Sequence, residues 1–252
     1  MLRPHDGVTG STLDPSEHGE VALLWSLYQE HYTDRRVHGK WDPHHPGNEF
    51  LRSQRRKAIA QLLKRHGLWP LKGRRVLEVG CGRGEVLADL VTLGANSSDL
   101  YGVDLLADFA RAAKLACPSC RIVQSHAGEL PFARGSFDLV ALFTLCSSFR
   151  GEVLLQHAVD EAARVLRPDG SVLWYDLRYP NPWNQYVRPI SRKAIERLFP
   201  RWRIWLQPVT PLPPMVRRFG RAAPLLGLAM GTIPLLQTHY LGLISRDPLP
   251  RP

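Results

Sequence analysis

A ten-residue segment, Val76 to Glu85, constrains the fold of this chain more than any other part of it. It reads VLEVGCGRGE, so a short apolar run of the kind that forms a buried strand leads directly into glycines at positions 80, 82 and 84. Glycine adopts backbone conformations closed to other residues and lets a ligand approach the main chain. The segment therefore predicts a strand, a tight turn and a helix, with a ligand at the turn.

A dinucleotide-binding turn is the main alternative, because the pattern GxGxxG also follows a strand. That pattern needs a small residue where this chain has Glu85. A second signal is Asp104, which ends the apolar run YGVD 22 residues after Gly82. An acidic side chain at that place can accept hydrogen bonds from both hydroxyls of a ribose. The two features together favour a ligand with an adenosyl group and no pyrophosphate.

The chain around this segment alternates between runs typical of strands and amphipathic stretches typical of helices. This alternation predicts a parallel sheet flanked by helices, with the ligand crevice at the carboxyl ends of the strands. The predicted strands are 75–79, 100–103, 121–124, 137–143, 171–176, 202–207 and 239–244, and the predicted helices are 21–32, from Asn48 or Ser53 to about His66, 85–94, 106–116 and 151–166.

The composition limits the surroundings in which the protein works. The net charge of +10 favours acidic partners such as nucleic acid, anionic lipid or a phosphorylated substrate, although a solvated basic surface explains it equally well. The sequence contains no run of 18 or more apolar residues, so we expect no membrane-spanning helix. The polar start, residues 1–20, predicts a disordered tail and no secretory signal. We therefore expect a cytoplasmic protein.

The four cysteines include one CxxC pair, Cys117 and Cys120. A structural zinc site would need a second pair of ligands at a suitable spacing, which the sequence lacks, so no metal site is expected. The pair stands between a predicted helix and a predicted strand, which is the wrong place for a thioredoxin-like motif. We expect ordinary thiols in a reducing compartment.

Four segments resemble, in their order, the four motifs of class I S-adenosylmethionine (SAM) methyltransferases of the type 11-like group. They are VLEVGCGRGE, YGVD, HAGELPFARGSFDLV and RVLRPDGSVLWYD, and the resemblance covers roughly residues 70–180. It implies a Rossmann-like α/β fold, with a mostly parallel seven-stranded sheet flanked by helices and an antiparallel last strand. Residues 1–68 are then a tail and a helical cap, and residues 69–252 are the SAM-binding domain, with an apolar, arginine-bearing insertion at about 208–237.

The same resemblance implies a set of residues around the methyl donor. Four of them surround its methionine half, namely Glu78, Gly80, Cys81 and Gly82. Asp104 holds the ribose, Leu105 lies against the adenine, and His126, Ala127 and Leu130 belong to the adenine pocket. His126 stands where the family usually has an aspartate that accepts from the adenine amino group. A neutral imidazole can accept through one nitrogen and a protonated one cannot, so we expect weaker donor binding at low pH.

The residues after the fifth predicted strand are the candidates for the acceptor side. The run from Tyr175 to Asn184 resembles a bacterial subgroup with the signature Y-D-x-R-Y-x-N-P-x-N. Asp176 could orient the acceptor or act as a general base, with Tyr175 beside it, and Arg178 could bind an anionic acceptor. A structural Asp–Arg pair is the alternative. His126 and His239 are further candidates for a base.

Methyl transfer to a small-molecule or lipid-linked acceptor is the function that these features predict. Ahead of its apolar run the insertion carries Arg217, Arg218 and Arg221, which suits a lid, an interfacial segment facing the phosphates of an anionic membrane, or a packed helix pair. RNA methylation is the first alternative and is disfavoured, because no N-P-P-[YFW] motif follows the fourth strand at Phe143. A non-catalytic SAM-binding or membrane-peripheral partner protein is the second.

Overall fold

A computed structural model describes residues 19–27, 42, 44–182, 184, 186–219 and 222–246, apart from the side chain of Leu226. Most of the predicted tail, the second part of the predicted helix 21–32, and Arg221 lie outside these residues. Residues 19–27 are helical and are called α1 here.

The described residues form a seven-stranded sheet. Its strands are β1 (Val76–Val79), β2 (Leu100–Asp104), β3 (Arg121–Gln124), β4 (Phe137–Phe143), β5 (Leu166–Leu177), β6 (Arg203–Pro211) and β7 (Gln237–Ser245). The order across the sheet is β3-β2-β1-β4-β5-β7-β6. The first five strands are parallel, and β7 runs antiparallel to both of its neighbours. The predicted Rossmann-like sheet with an antiparallel last strand is confirmed.

Helices cover both faces of the sheet. They are α2 (Pro46–Arg65), α3 (Glu85–Thr92), α4 (Ala107–Ala116), α5 (Glu152–Val165), α6 (Arg192–Leu198), α7 (Pro213–Arg218) and α8 (Ala223–Gly231). Alternate residues of the strands enter two separate apolar cores. On β1, for example, Leu77 belongs to one core and Val76 to the other. The chain leaves β1 towards β2 on one side and reaches β4 on the other, so a crevice opens at the carboxyl ends of β1 and β4.

Two predicted boundaries need correction. Helix α2 begins at Pro46, with the Nδ1 atom of His45 accepting from the Gly47 amide, so neither Asn48 nor Ser53 caps it. Proline suits the first helical position because its missing N–H would be unpaired there in any case. Strand β6 runs on to Pro211, which narrows the insertion to about 212–236. Two prolines are tolerated in β6 because it is an edge strand.

The expectation of free thiols is wrong for Cys117 and Cys120, which form a disulfide. The turn that joins α4 to β3 brings the two residues together, since the Cys120 amide donates to the Cys117 carbonyl. Their Cα atoms are 5.3 Å apart, a separation that a disulfide can bridge. Cys81 and Cys146 are free and buried.

A helical cap, formed by α2, α7 and α8, closes over the crevice. Phe50 from α2 packs with Val216 and Ala223 in a small core of its own. A Cβ atom at Gly227 would collide with the Phe50 ring, so glycine permits the close approach of α8 to α2. In the part of the chain that the structure describes, no helix combines the length and the apolar character needed to cross a membrane.

Candidate active site

The donor end of the site begins where β1 turns into α3. Gly80 and Gly82 have φ angles of +76° and +52°, a region that strongly favours glycine. The amides of Gly80 and Cys81 both donate to the Val103 carbonyl, which ties the turn to the neighbouring strand. A Cβ atom at Gly82 would meet nothing within 4 Å, so the backbone there borders open space. A ligand can therefore lie directly against the main chain of this turn.

Asp104 ends β2 beside the turn and organises it. Its Oδ2 atom accepts from the Gly82 amide at 2.8 Å, and its Oδ1 atom accepts from the Leu106 amide at 3.0 Å. Burial raises the pKa of this carboxyl, while the bonds from backbone amides oppose the rise. An ionised carboxylate has about four acceptor positions, so two hydrogen bonds leave room for the hydroxyls of a ribose.

Glu78 supplies a buried acceptor without a partner. The residue is 2% exposed, and its Oε2 atom makes no hydrogen bond. Burial raises the pKa of this carboxyl well above its ordinary value, and the nearby charge of Arg55 opposes the rise. A buried acceptor left unsatisfied is unfavourable, so a positively charged donor group placed here would remove a cost that the protein alone carries.

One cavity of about 830 Å³ connects these groups. Leu130, predicted for the adenine pocket, is buried and does not line it. The other eight residues predicted for the donor site do, and these are Glu78, Gly80, Cys81, Gly82, Asp104, Leu105, His126 and Ala127. The Nε2 atom of His126 lies 3.4 Å from a carboxylate oxygen of Glu129. The glycine turn, the remaining acceptor positions of Asp104 and the unpaired oxygen of Glu78 together suit the groups of SAM.

The acceptor end of the cavity is built around Tyr175. Its ring stacks on Phe143 at 5.2 Å on one side and on His239 at 4.7 Å on the other, measured between ring centroids. Its hydroxyl bonds to Thr210 Oγ1 at 2.8 Å. Burial raises the pKa of the Tyr175 phenol. All four side chains line the cavity.

Asp176 and Arg178, the other two residues predicted for catalysis, do not line this cavity. Successive side chains of a strand point to opposite faces, so when Tyr175 and Leu177 face the cavity, Asp176 and Arg178 face away. The Asp176 carboxylate accepts from the amides of Ser147 and Leu177, and burial raises its pKa to about 6. Both residues brace the backbone in this geometry.

Arg178 is held by main-chain carbonyls. Its Nη1 atom donates to the Pro234 and Gln237 oxygens at 2.8 and 3.1 Å. Its guanidinium also lies over the rings of Tyr179 and Tyr240. The arginine therefore joins the end of β5 to the end of the insertion, which is a different task from the predicted binding of an anionic acceptor.

His239 occupies the start of β7, opposite Leu177 at the end of β5. The Thr238 hydroxyl donates to the Thr210 carbonyl at 3.0 Å, because a carbonyl can only accept. The same hydroxyl lies 2.8 Å from His239 Nδ1 and can only accept there, so Nδ1 carries the proton and Nε2 the lone pair. Burial, and then the charge of Arg55, lower the pKa of His239 to about 3. The imidazole is thus neutral near pH 7.

The cap contributes residues to this cavity, and the sequence prediction missed the three that come from α2. Asn48, Arg52 and Arg55 line the cavity from α2, and Arg217 lines it from α7. A signal for the first three was present, since positions 48, 52 and 55 follow the i, i+4, i+7 spacing of one helix face. Nothing in the sequence indicated that this face would meet the carboxyl edge of the sheet.

The strand order, the reversed β7 and the glycine turn with Asp104 define a Rossmann-like methyltransferase fold. A crystal structure from Thermotoga maritima, described as a SAM-dependent methyltransferase and possible histamine N-methyltransferase, has this fold too. It superimposes with a TM-score of 0.56 at 14% sequence identity, over 89% of this chain and 100% of that one. At that identity the likeness concerns the fold alone.

Sequence comparison relates the chain to methyltransferases as well. Residues 77–174 match the family described as "Methyltransferase domain". The demethylmenaquinone methyltransferase of Lactococcus lactis is 29% identical over 54% of this chain and 56% of its own length. A phthiotriol/phenolphthiotriol dimycocerosates methyltransferase of Mycobacterium ulcerans is 31% identical over 51% and 46%. The chain thus spans about half the length of these curated relatives.

Proposed function

We propose that this protein is a SAM-dependent methyltransferase acting on a small-molecule or lipid-like acceptor. The observation that carries the proposal is the single cavity that runs from the glycine turn, Glu78 and Asp104 to the Tyr175–His239 pair. A donor bound at the first end and an acceptor bound at the second would meet inside one cavity that the cap partly closes. Holding two reactants in line in this way supplies much of the rate of a direct displacement.

The donor would be held by groups whose chemistry matches it. Asp104 would accept from the ribose hydroxyls, and Glu78 from the ammonium group of the methionine half. His126, Ala127 and Leu105 would enclose the adenine. The bound donor supplies an activated methyl group on a sulfonium. This chain's part is then to bind it, to exclude water and to orient the acceptor, tasks that need no dedicated base.

The acceptor class is supported by the cavity and by the relatives. The curated relatives carry names that place demethylmenaquinone and phthiotriol dimycocerosates among methyltransferase substrates. A cavity partly closed by a cap suits a compact or lipid-like molecule better than RNA, whose phosphates need an open basic surface. A non-catalytic SAM-binding role is less favoured, because the cavity continues past the donor end to a polar acceptor end.

The outer face of the cap suggests where the protein works. Leu225 and Leu228 of α8 are 78% and 55% exposed, and Leu235, just before β7, is 77% exposed. Arg218 of α7 is exposed as well. Exposed apolar side chains with neighbouring arginines suit the surface of an anionic membrane. We therefore propose a cytoplasmic protein whose cap touches such a surface.

Donor binding is tested with the change Asp104→Ala. The change removes the ribose acceptor, so calorimetry should show weaker binding of S-adenosylhomocysteine (SAH), by about 1.5–3 kcal/mol. Asp108→Ala is the matched control, because Asp108 is an exposed aspartate at the start of α4 that pairs with Arg111 and lies off the cavity. Thermal unfolding of both variants separates lost binding from lost stability. Unchanged affinity in Asp104→Ala, or a preference for NAD, would contradict the proposal.

The acceptor class is tested with a labelled methyl donor and fractionated cell extract. Label should enter the organic extract in the presence of the wild-type chain. Recovery of the label in the RNA fraction would favour the first alternative. SAH binding without transfer to any fraction would favour a non-catalytic role.

A further inference from the structure

The charges along the cavity wall are unevenly distributed. The carboxylates that line it, Glu78, Glu85 and Asp104, lie on the sheet side around the glycine turn, together with Arg83. The cap side carries arginines instead, with Arg52 and Arg55 on α2 and Arg217 on α7. Carboxylates suit the cationic donor of the proposed function. The arginines stand where the acceptor would bind.

Arg55 keeps positive charge in this half of the cavity although it has an acidic partner. Its Nη2 atom lies 2.7 Å from Asp89 Oδ2, while Arg56 Nη1 lies 3.1 Å from the other oxygen of the same carboxylate. One carboxylate thus pairs with two guanidinium groups, while Glu85 and Glu78 also interact electrostatically with Arg55. The Arg55 guanidinium also lies 5.9 Å from the centroid of the Tyr175 ring.

Arg217 approaches the same place from the opposite side of the cap. Its Nε atom donates to Asn48 Oδ1 at 2.6 Å, so this partner is a neutral amide. Burial lowers the pKa of the Arg217 guanidinium, and the proximity of Tyr175 opposes that effect. A desolvated guanidinium gains more from an anion than an exposed one does, because the surrounding dielectric is low.

His239 responds to the same electrostatic field. Its pKa falls to about 3 through burial and the charge of Arg55. Among the described residues, Arg55, Asp176 and Arg217 act electrostatically on Tyr175, and Arg55 also acts on His239. A neutral imidazole with a pKa this low is a weak base, so His239 is poorly suited to remove a proton from the acceptor.

We infer that the acceptor presents an anionic oxygen, of a carboxylate, phenolate or enolate, which lies beside Tyr175 and is held by Arg217 and Arg55. The inference rests on the proposed methyl transfer. The acceptor oxygen forms a bond to the methyl carbon as the carbon–sulfur bond breaks, and that electron pair returns to sulfur. Oxyanion and sulfonium both become neutral, and no proton has to leave. This accounts for the arginines and the weakly basic imidazole beside Tyr175.

The test compares an anion with its neutral counterpart in the SAH-saturated protein. The probes are 1-naphthoate and 1-naphthamide, which share shape and differ in charge, and binding is measured by calorimetry. We expect naphthoate to bind at least about tenfold more tightly. Arg217→Met should weaken naphthoate binding about tenfold or more, the order of one lost charge-assisted hydrogen bond, and leave naphthamide within about twofold.

Arg218→Met is the matched control, because Arg218 adjoins Arg217 in the chain but is exposed and lies off the cavity. Asn48→Asp is a second variant that keeps the arginine and neutralises it with a carboxylate, and it should act in the same direction. Equal affinities for the two probes, binding of neither, or equal effects at 217 and 218 would overturn the inference. Each protein is first titrated with SAH. A failure at that step defeats the proposed function itself, whereas normal SAH binding without an anion preference defeats only the inference.

Discussion

Replacing Glu78 by glutamine should move stability and donor binding in opposite directions. The carboxylate is buried, and one of its oxygens has no hydrogen bond, so it costs the ligand-free protein free energy. The same oxygen is the group proposed to accept from the donor's ammonium. The change Glu78→Gln removes the charge and keeps the shape.

The magnitudes follow from the burial of the group. A buried acceptor without a partner costs about 1–3 kcal/mol, and since the glutamine amide also needs partners, we take the low end, about 1 kcal/mol. For a chain of this size that corresponds to a rise in Tm of about 2–4 °C. Loss of a hydrogen bond to a charged group should weaken SAH binding by about 1.5–3 kcal/mol, or roughly 10- to 150-fold.

The pH dependence has a defined sign. Burial raises the pKa of Glu78 above its ordinary value of 4.5, so the folded protein holds this proton to higher pH than the unfolded chain does. The stability that the group contributes is full below pH 4.5 and is lost as the pH rises through the raised pKa. The gain in Tm from Glu78→Gln should therefore grow as the pH rises above 4.5. Calorimetric unfolding from pH 5 to 9 measures it.

Asp176→Asn provides the matched control. It makes the same chemical change at another buried carboxylate, but the oxygens of Asp176 accept from the amides of Ser147 and Leu177 at 3.0 and 2.8 Å. Asparagine offers only one oxygen, so this variant should lose about 1–3 kcal/mol of stability and keep SAH affinity within about threefold. A Glu78→Gln protein that is less stable at pH 8 and binds SAH normally would refute the reasoning.

Two further predictions concern the cap and the imidazole. Leu225→Ser combined with Leu228→Ser should reduce co-sedimentation with phosphatidylglycerol-containing vesicles. The control Leu115→Ser, at an 82% exposed leucine on α4, should not reduce it. Equal effects would exclude the cap as the contact surface. His239 should appear in ¹⁵N NMR as the Nδ1–H tautomer set by Thr238, and it should not titrate from pH 5 to 8. Its contribution to stability should be present above about pH 6.5 and be lost as the pH falls towards 3. A pKa near 6.5 would show that the imidazole is not buried as described.

The sheet was predictable because its information is local. The central strands are buried and apolar, and they begin or end at turn signals close in sequence, so the periodicity defines them without knowledge of their neighbours. Predictions failed where neighbours decide the outcome. Strand β6 continues through Pro208 to Pro211 because β7 pairs with it along that length, and no periodicity records such pairing. The Cys117–Cys120 disulfide likewise depends on the turn that α4 and β3 create.

The donor end of the site was predictable for the same reason. Gly80, Gly82 and Asp104 stand at the ends of two adjacent parallel strands, and in this fold adjacent strands bring their carboxyl ends to one edge. The residues around Tyr175 lack that advantage. Tyr175 and Asp176 are adjacent on β5, so their side chains point to opposite faces of the sheet. The sequence alone did not indicate which of the two would face the cavity.

The difference between the two ends has a physical origin in how each is assembled. The residues proposed to bind the donor lie at the carboxyl ends of the parallel strands. They are close to a turn whose positive φ angles require glycine, and glycine is visible in the sequence. The acceptor end instead brings Arg55 from α2, Tyr175 from β5, Arg217 from α7 and His239 from β7 into one place. Each is an ordinary residue within its own segment. Their shared effect, a positive field beside a neutral imidazole, exists only once the cap has docked on the sheet. If the acceptor is an oxyanion as inferred, its specificity therefore depends on the packing of Phe50 with Val216 and Ala223, and changes in that small core should alter acceptor binding before they alter donor binding.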